Sequence, residues 1–526
     1  MKQFLVLPIL VFLISSPLLS QEEENILSKA NAAEAEKKML AGNYEEAVDD
    51  YLSLYAEQPE VGKHAYNIAV CYLNMDENKT KAIPYLEKLV HNEKHDPNTE
   101  YLLAVAYHLA NRFDEAISMF GKFKLNGKGN AENLKSVDQQ IQYCLNAKEL
   151  MKFPSNVSFE NLGKQINSEY NEQYAFVPID ESFIMFNTTR PEKNALKEEN
   201  GEYKNSIYLS QVLNGNYQKA LLLGEPLCKG NSGNELIGMN ADGSILLIGM
   251  SNGGSKQVYV SNKGENGNYS KPVLLDKTIN YPGSEVIAAS ISSEGDVIYF
   301  ASNRTGGFGG TDIFMSTKMP NGKWGQPINL GPGINTSQNE DFPNVSPDGK
   351  TLYFSSTGHT SMGGYDIFKA NFNAETGKWE NAKNIGFPIN TTGNDMNFRI
   401  TSNTRYGYIS CARRDGLGGL DNYRIVFNDI EPELSVVKGT IVSEDNKQIN
   451  YPDILMTVTN EKTKEIIGTY LPNPNTGNYV IILPPGNYLL EVELFNFKLL
   501  KKKLEIKDKV SYQSEIELDL KLEIAK

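Results

Sequence analysis

Hydrophobic and polar positions follow three different periods along the chain. Over residues 22–152 the sequence is rich in Ala, Glu, Lys and Leu and poor in glycine, and its apolar residues return at helical spacing. Gly42-Asn-Tyr44-Glu-Glu-Ala47-Val48 recurs as Asn111-Arg-Phe113-Asp-Glu-Ala116-Ile117, with Lys81-Ala82-Ile83 between them. The alanines at 47, 82 and 116 are 35 and 34 residues apart. Tyr51, Leu86 and Phe120 each follow by four residues, on the same helix face. Small residues there let paired helices approach, and the larger ones fill the gap. Leu134, Val137, Ile141, Cys144 and Leu145 predict a capping helix over roughly 130–151.

From 153 to 430 the period changes to that of short strands, and one unit recurs five times. Its clearest copy runs Asn329-Leu-Gly, Ile334-Asn-Thr, Asn339-Glu340, Ser346-Pro-Asp-Gly349, Leu352-Tyr-Phe-Ser-Ser356, Gly363-Gly-Tyr-Asp366-Ile-Phe368 and Gly377-Lys-Trp379. The Asp-Gly turn position falls at 181, 243, 295, 349 and 404. Each unit predicts four strands joined by turns, which is the pattern of a propeller blade. Glu181 and Thr404 replace the turn glycine in the first and fifth units. The fifth unit lacks an outer strand after Tyr423, and Val157-Ser-Phe-Glu-Asn-Leu-Gly163 matches the missing piece. The N-terminal strand is therefore expected to complete the last blade and remove an open sheet edge. Five blades are expected, or six if a degenerate one lies near 190–205. Residues 431–520 alternate with period two through Val436–Val442, Leu455–Val458 and Gly477–Leu494, the pattern of a small β-sandwich.

These motifs carry resemblances. The alanine-centred helical units, with Tyr72, Tyr107, Pro59 and Pro97, resemble the tetratricopeptide repeat. The Ser-x-Asp-Gly and Gly-Gly-x-Asp-Ile-Phe units resemble the WD-type repeat of TolB-like propellers. The Gly477-Asn-Tyr479 and Leu483-Pro-Pro-Gly486-Asn-Tyr488 run resembles carboxypeptidase regulatory-like modules, which carry no catalytic residues. The order resembles exported proteins of the OmpA-family type in bacteria with type IX secretion and gliding motility. In that class an OmpA-like domain usually follows, and here the sequence stops at Lys526. The resemblance thus implies an all-α tetratricopeptide solenoid (22–152), then a five-bladed propeller (153–430) and a β-sandwich (431–520). It also implies that peptidoglycan is reached only indirectly.

Lys+Arg 51 against Asp+Glu 65 gives a net charge of −14, which argues against a nucleic-acid partner. Residues 1–20 read as a signal peptide, with Lys2, the apolar run Phe4–Ile14 and small residues before Gln21. That run is short for a membrane span, so an exported protein at the periplasmic side of the outer membrane is expected. Cys71, Cys144, Cys228 and Cys411 share no close spacing, which excludes a CxxC motif. In an oxidising compartment Cys71 with Cys144, or Cys228 with Cys411, have the chance to pair; free buried thiols are the expectation.

Catalytic, metal and cofactor assignments are all expected to be none. Gly249-Met-Ser251-Asn-Gly253 matches GxSxG, but a nucleophile elbow needs a following helix that the repeat does not supply. His91 and His95 have helical zinc spacing, with Asp96-Pro97 ending the helix at once. Asp312, Asp366 and Asp421 are expected to bond turn amides. Two binding candidates remain. Glu172, Glu235, Glu285, Glu340 and Asp395 precede the first strand of each blade, and are placed either as a channel-mouth ring for a cation or basic group or as braces between blades. Mapping the repeat's inner face gives Lys63, Tyr66, Asn74, Tyr101 and His108 as a groove. The expectation is a non-catalytic envelope scaffold that binds envelope or secretion-system proteins, with a glycan- or peptide-binding, even hydrolytic, propeller as the alternative.

Overall fold

The computed structural model describes residues 26–525 except 93, 214–215, 229–231, 253–254, 402–403, 430–433, 445–447, 485 and 507–514. The signal-peptide reading, Gly253 and the expected junction at 430/431 lie outside the described residues.

Seven helices come first: α1 (Ile26–Leu40), α2 (Tyr44–Glu57), α3 (Gly62–Asn74), α4 (Ile83–Val90), α5 (Asn98–Leu109), α6 (Phe113–Asn126) and α7 (Ala131–Leu150). Asn43 caps α2 by accepting from the Glu46 amide, and Asn130 caps α7 by accepting from the Glu132 amide at 2.7 Å. Ala47, Ala82 and Ala116 are fully buried, in one core with Tyr51, Leu86 and Phe120.

The expectation of an all-α tetratricopeptide solenoid is nevertheless corrected. The molecule is predominantly β-strand in many small antiparallel sheets, with seven described helices set against them. The middle pair is interrupted, since Lys79–Ala82 winds as a 3-10 turn and leaves α4 only eight residues. Two of the helices, α5 and α7, are spent on the neighbouring fourth blade. His108 Nε2 lies 2.9 Å from Met362 O, Tyr143 Oη donates to Thr357 O at 2.5 Å, and Asn146 Nδ2 donates to Ser361 O at 2.8 Å. The alanine spacing reported local helix–helix contacts, which any antiparallel helix pair makes, and those contacts do not specify a solenoid.

Five sheets form a ring. The first four blades each begin with an inner strand, at Glu172–Phe176, Glu235–Met239, Val286–Ile291 and Glu340–Val345, and run outward by antiparallel hairpins. The fifth contains Arg399–Ile400, Tyr406–Cys411 and Asp421–Phe427, and Val157–Asn161 adds its outer strand, with Phe159 opposite Ile425. Residues 190–205 contain no strand, so they supply no sixth blade. Two further sheets share one core through Val437, Ile441, Met456, Val458, Tyr488 and Leu490. The lysine run at 501–503 lies on a strand there, with Lys501 paired to Glu491 and Lys503 to Glu461.

The recurring turn needs a left-handed residue. Gly243, Gly295 and Gly349 have φ of 72°, 72° and 71°, and Glu181 and Thr404 hold φ of 50° and 55° at the same positions. A side chain there is strained, and a β-branched one most of all. Thr404→Gly should therefore stabilise the protein by about 1 kcal/mol, read as a raised urea midpoint. An unchanged or lowered midpoint would show that the turn carries no strain.

Candidate functional site

Each blade's leading carboxylate is placed by the same loop. In three of five blades a Ser or Thr stands four residues earlier and its amide and hydroxyl both bind the acid. Ser168 N and Oγ donate to Glu172, Thr336 N and Oγ1 to Glu340, and Thr391 N and Oγ1 to Asp395, all at 2.6–2.9 Å. Glu172 and Glu340 reach further and accept from Thr188 Oγ1 and Ser356 Oγ, and Glu172 also takes Arg190 Nε at 3.1 Å. Glu235 accepts from Asn205 and Lys256. Burial pulls the Glu235 carboxyl up, but Lys256 and Asn205 outweigh it and hold the group below its ordinary value. Burial raises Glu172 and Glu340. Glu285 is only half-buried. Glu172, Glu235 and Glu340 therefore act as braces, Glu235 reaching across to Asn205 of the first blade.

Asp395 is different. It is one methylene shorter than its four counterparts, and both bonds from Thr391 fall on Oδ2. It is 3 % exposed, and it lines a cleft of about 1550 Å³ between the helices and the ring. Burial pushes its carboxyl up to about 7, with Arg413 acting against that. The neighbouring Asp366 accepts from Met362 N at 3.0 Å and Asn384 Nδ2 at 2.6 Å through Oδ2, while its buried Oδ1 has no partner. Burial and then Asp395 raise Asp366 well above the usual carboxyl range. Both acids thus stand in an environment that favours their neutral forms, Asp395 on the cleft wall and Asp366 fully buried.

The helices contribute Leu40, Asn74, Lys79 and Leu109 to this cleft, and the ring contributes Tyr174, Arg413 and Arg414. The Arg413 guanidinium lies 3.8 Å over the Phe159 ring, which ties the closing strand to the cleft. Tyr174 of the first blade and Phe342 of the fourth meet as a tilted pair with centroids 5.2 Å apart and planes at 45°, both at bulges with positive φ. Asp341 sits beside them, 1 % exposed and accepting from Phe342 N; burial pushes it up to about 7 against that bond and Lys256.

Of the five residues expected to form a helical groove, Asn74 alone lines the cleft. Lys63 is exposed and 3.4 Å from Glu36, and Tyr66 is half-buried. Tyr101 is buried with Oη 2.9 Å from Ser136 Oγ, and His108 is buried against the ring. The groove is corrected accordingly: Tyr101 and His108 are used up by packing.

Asp312 and Asp421 bond the turn amides of Phe308 and Gly309, and of Leu417 and Gly418. Ser251 lies within the strand Ile245–Asn252, opposite Lys256, so no elbow exists there. His91 follows the end of α4, and His95 Nδ1 lies 2.6 Å from Asn92 O, so the two do not share a helix face. All four cysteines are free thiols. Among the described residues no three His, Cys, Asp or Glu side chains gather as a metal set, and no helix is long and apolar enough to cross a membrane.

Arg413, Arg414 and Asp341 were missed at the sequence level. A signal did exist for Asp395, since it alone replaces the glutamate of the repeat.

No known protein family and no curated protein matches the sequence. Among solved structures, the chain is similar to a putative TolB from Agrobacterium tumefaciens, at 13% identity, over 53% of this chain and 99% of that one, with a TM-score of 0.27. It is similar to an unknown-function protein from Dyadobacter fermentans DSM 18053, at 12% identity, over 48% and 75%, TM-score 0.31. A third is the alpha-L-arabinofuranosidase from Lactobacillus brevis, at 12% identity, over 53% and 93%, TM-score 0.30. Likenesses this distant carry no argument about what the chain does.

Proposed function

We propose that this protein is a non-catalytic binding protein of the cell envelope, acting in envelope assembly or type IX secretion. It would hold a segment of a partner protein in the cleft between its helices and its ring. The observation that carries this reading is the cleft itself, about 1550 Å³ and walled by both regions, with Asp395, Arg413 and Arg414 on one side and both apolar (Leu40, Leu109) and polar (Asn74, Lys79) residues of the helical region on the other. Such a mixed wall suits an extended peptide, whose apolar and charged side chains both need partners. The net charge of −14 disfavours direct attachment to anionic lipid. The protein is accordingly read as exported and periplasmic, associated with the outer membrane through other proteins, and reaching peptidoglycan only through them.

A second reading keeps one specific observation in its favour. The raised carboxyls of Asp395 and Asp366 beside Arg413 have the protonation expected of an acid in glycan or peptide hydrolysis.

Cross-linking in intact cells, with affinity capture of the full chain, separates the two. Arg414 is exposed on the cleft wall, so Arg414→Glu should leave folding intact and reduce captured envelope proteins at least tenfold. Capture that is unaffected by Arg414→Glu and by a bulky Asn111→Trp in the cleft would sink the binding reading. Turnover of envelope glycan or peptide that disappears in Asp395→Asn would establish the hydrolytic one.

A further inference from the structure

Two arginines are buried among the described residues, Arg304 at 9 % exposure and Arg399 at 8 %. Neither touches a carboxylate, and they solve that problem differently. Arg304 donates to Thr278 O at 3.0 Å and Ile279 O at 2.5 Å, and its Nε lies 3.5 Å from Ser302 Oγ. Every nitrogen of that guanidinium therefore has an acceptor.

Arg399 has no such complement. Nη1 donates to Asn344 Oδ1 and Nη2 to Asn397 Oδ1, both at 3.1 Å, and Nε has no partner. Asn397, 3 % exposed, leaves its own Nδ2 unpartnered. Its amide cannot be turned round, because that would set an N–H against the guanidinium. The guanidinium carbon lies 4.0 Å over the Phe176 ring. Arg399 thus reaches from the fifth blade to Asn344 of the fourth and Phe176 of the first, where three inner strands meet. Burial lowers its proton affinity with no acid opposing it. Two buried N–H groups, Arg399 Nε and Asn397 Nδ2, are left without acceptors on hydrogen-bonded neighbours, and the buried cation has no anionic partner. Each such donor destabilises the fold, and the uncompensated charge does so more strongly.

The repeat shows that this is no general device of the ring. Counting two and four residues from the leading carboxylate, the other blades carry Tyr174 and Phe176, Ile237 and Met239, Ile287 and Ala289, and Phe342 and Asn344. Only the fifth carries Asn397 and Arg399. The bracing carboxylates recur around the ring, at Glu172, Glu235 and Glu340, whereas this pair occurs once.

We infer that Arg399 and Asn397 form a binding site for a small monovalent anion of chloride size inside the ring. The anion accepts from Arg399 Nε and Asn397 Nδ2, neutralises the guanidinium and ties the fifth blade to its neighbours. A buried water is the competing occupant, since it accepts two hydrogen bonds but brings no charge.

The two tryptophans, Trp324 and Trp379, lie in the third and fourth blades, so their fluorescence reports melting of the ring in the full chain. At constant ionic strength, replacing gluconate by chloride or bromide should raise that melting temperature saturably. At 100 times the dissociation constant the folded-to-unfolded ratio should rise about 100-fold. Arg399→Met should abolish the response. Should that variant not fold, Asn397→Asp decides: it puts a carboxylate beside the guanidinium at a backbone position aspartate tolerates. It should fold and melt without regard to chloride. Bromide-soaked crystals of the full chain should show one anomalous peak between the two nitrogens. Equal melting in gluconate and chloride, a chloride response that persists in the folded variants, or a water without anomalous signal at that point would overturn the site.

Discussion

Ser158→Pro should lower the melting temperature of the ring by about 6–12 °C. The strand Val157–Asn161 is the outer strand of the fifth blade and pairs along its length with Asp421–Phe427. Asn428 N donates to Asn156 O and Leu162 N to Asn422 O, so Ser158 falls on a hydrogen-bonded pair with Val426 and proline there removes a ladder donor, at about 3 kcal/mol or more. For a unit of this size each kcal/mol is worth roughly 2–4 °C. The loss goes beyond hydrogen bonds. Phe159 packs against the fifth-blade core and carries Arg413 on its ring, and Asn161 holds Asp421 and the Gly163 turn. An unpaired strand would also leave Asp421–Phe427 as an open edge, and concentrated samples should aggregate on melting. Tryptophan fluorescence gives the transition directly. A Phe159→Leu control, which keeps the strand and loses the aromatic ring, should fall well short of the proline effect. Equal melting of Ser158→Pro and the wild type would mean the ring closes without this strand.

The closure was legible because it rests on a repeated motif. Asn161 and Gly163 match Asn329 and Gly331, and the amide–turn bond is the same in both, with Gly163 N donating to Asn161 Oδ1 and Gly331 N to Asn329 Oδ1. Turn chemistry acts over a few residues, so a linear reading captures it. The helical region was less legible for the opposite reason. Ala47, Ala82 and Ala116 correctly marked buried helix contacts, yet what the helices build is decided by their docking on the ring through His108, Tyr143 and Asn146. Those partners lie 214 to 254 residues away, at Thr357, Ser361 and Met362. The cleft shares that fate. Asp395 was named for its place in the repeat, but its shortness mattered only once Arg413, Asp366 and the helices were brought beside it. Arg399 carries no motif, and its significance lies in atoms left without partners.

Asp341→Asn and Asp395→Asn should each stabilise the protein at pH 8 and leave it nearly unchanged at pH 4. Both carboxyls are pushed by burial from the ordinary 3.8 to about 7. A folded carboxyl with a raised pKa keeps its proton where the unfolded chain has already lost one. Its contribution is therefore complete below the unfolded value, declines as pH rises towards about 7, and stays low above that. The slope is about 1.4 kcal/mol per pH unit for each group within that window. Asparagine is neutral at every pH and keeps an Oδ1 to accept from Phe342 N or from Thr391, so each variant removes one such slope. His108 acts in the opposite direction. Burial lowers it to about 4, so it costs stability as pH falls from about 6.5 to 4. The wild-type curve alone mixes these signs, whereas the difference between wild type and variant isolates each acid. Urea midpoints of the three proteins from pH 4 to 8 should therefore diverge steadily and level off near pH 7.5. Parallel curves, or a difference that grows towards low pH, would show that these two carboxyls are ionised in the folded protein. The neutral acid at the cleft wall would then be lost as an element of the site.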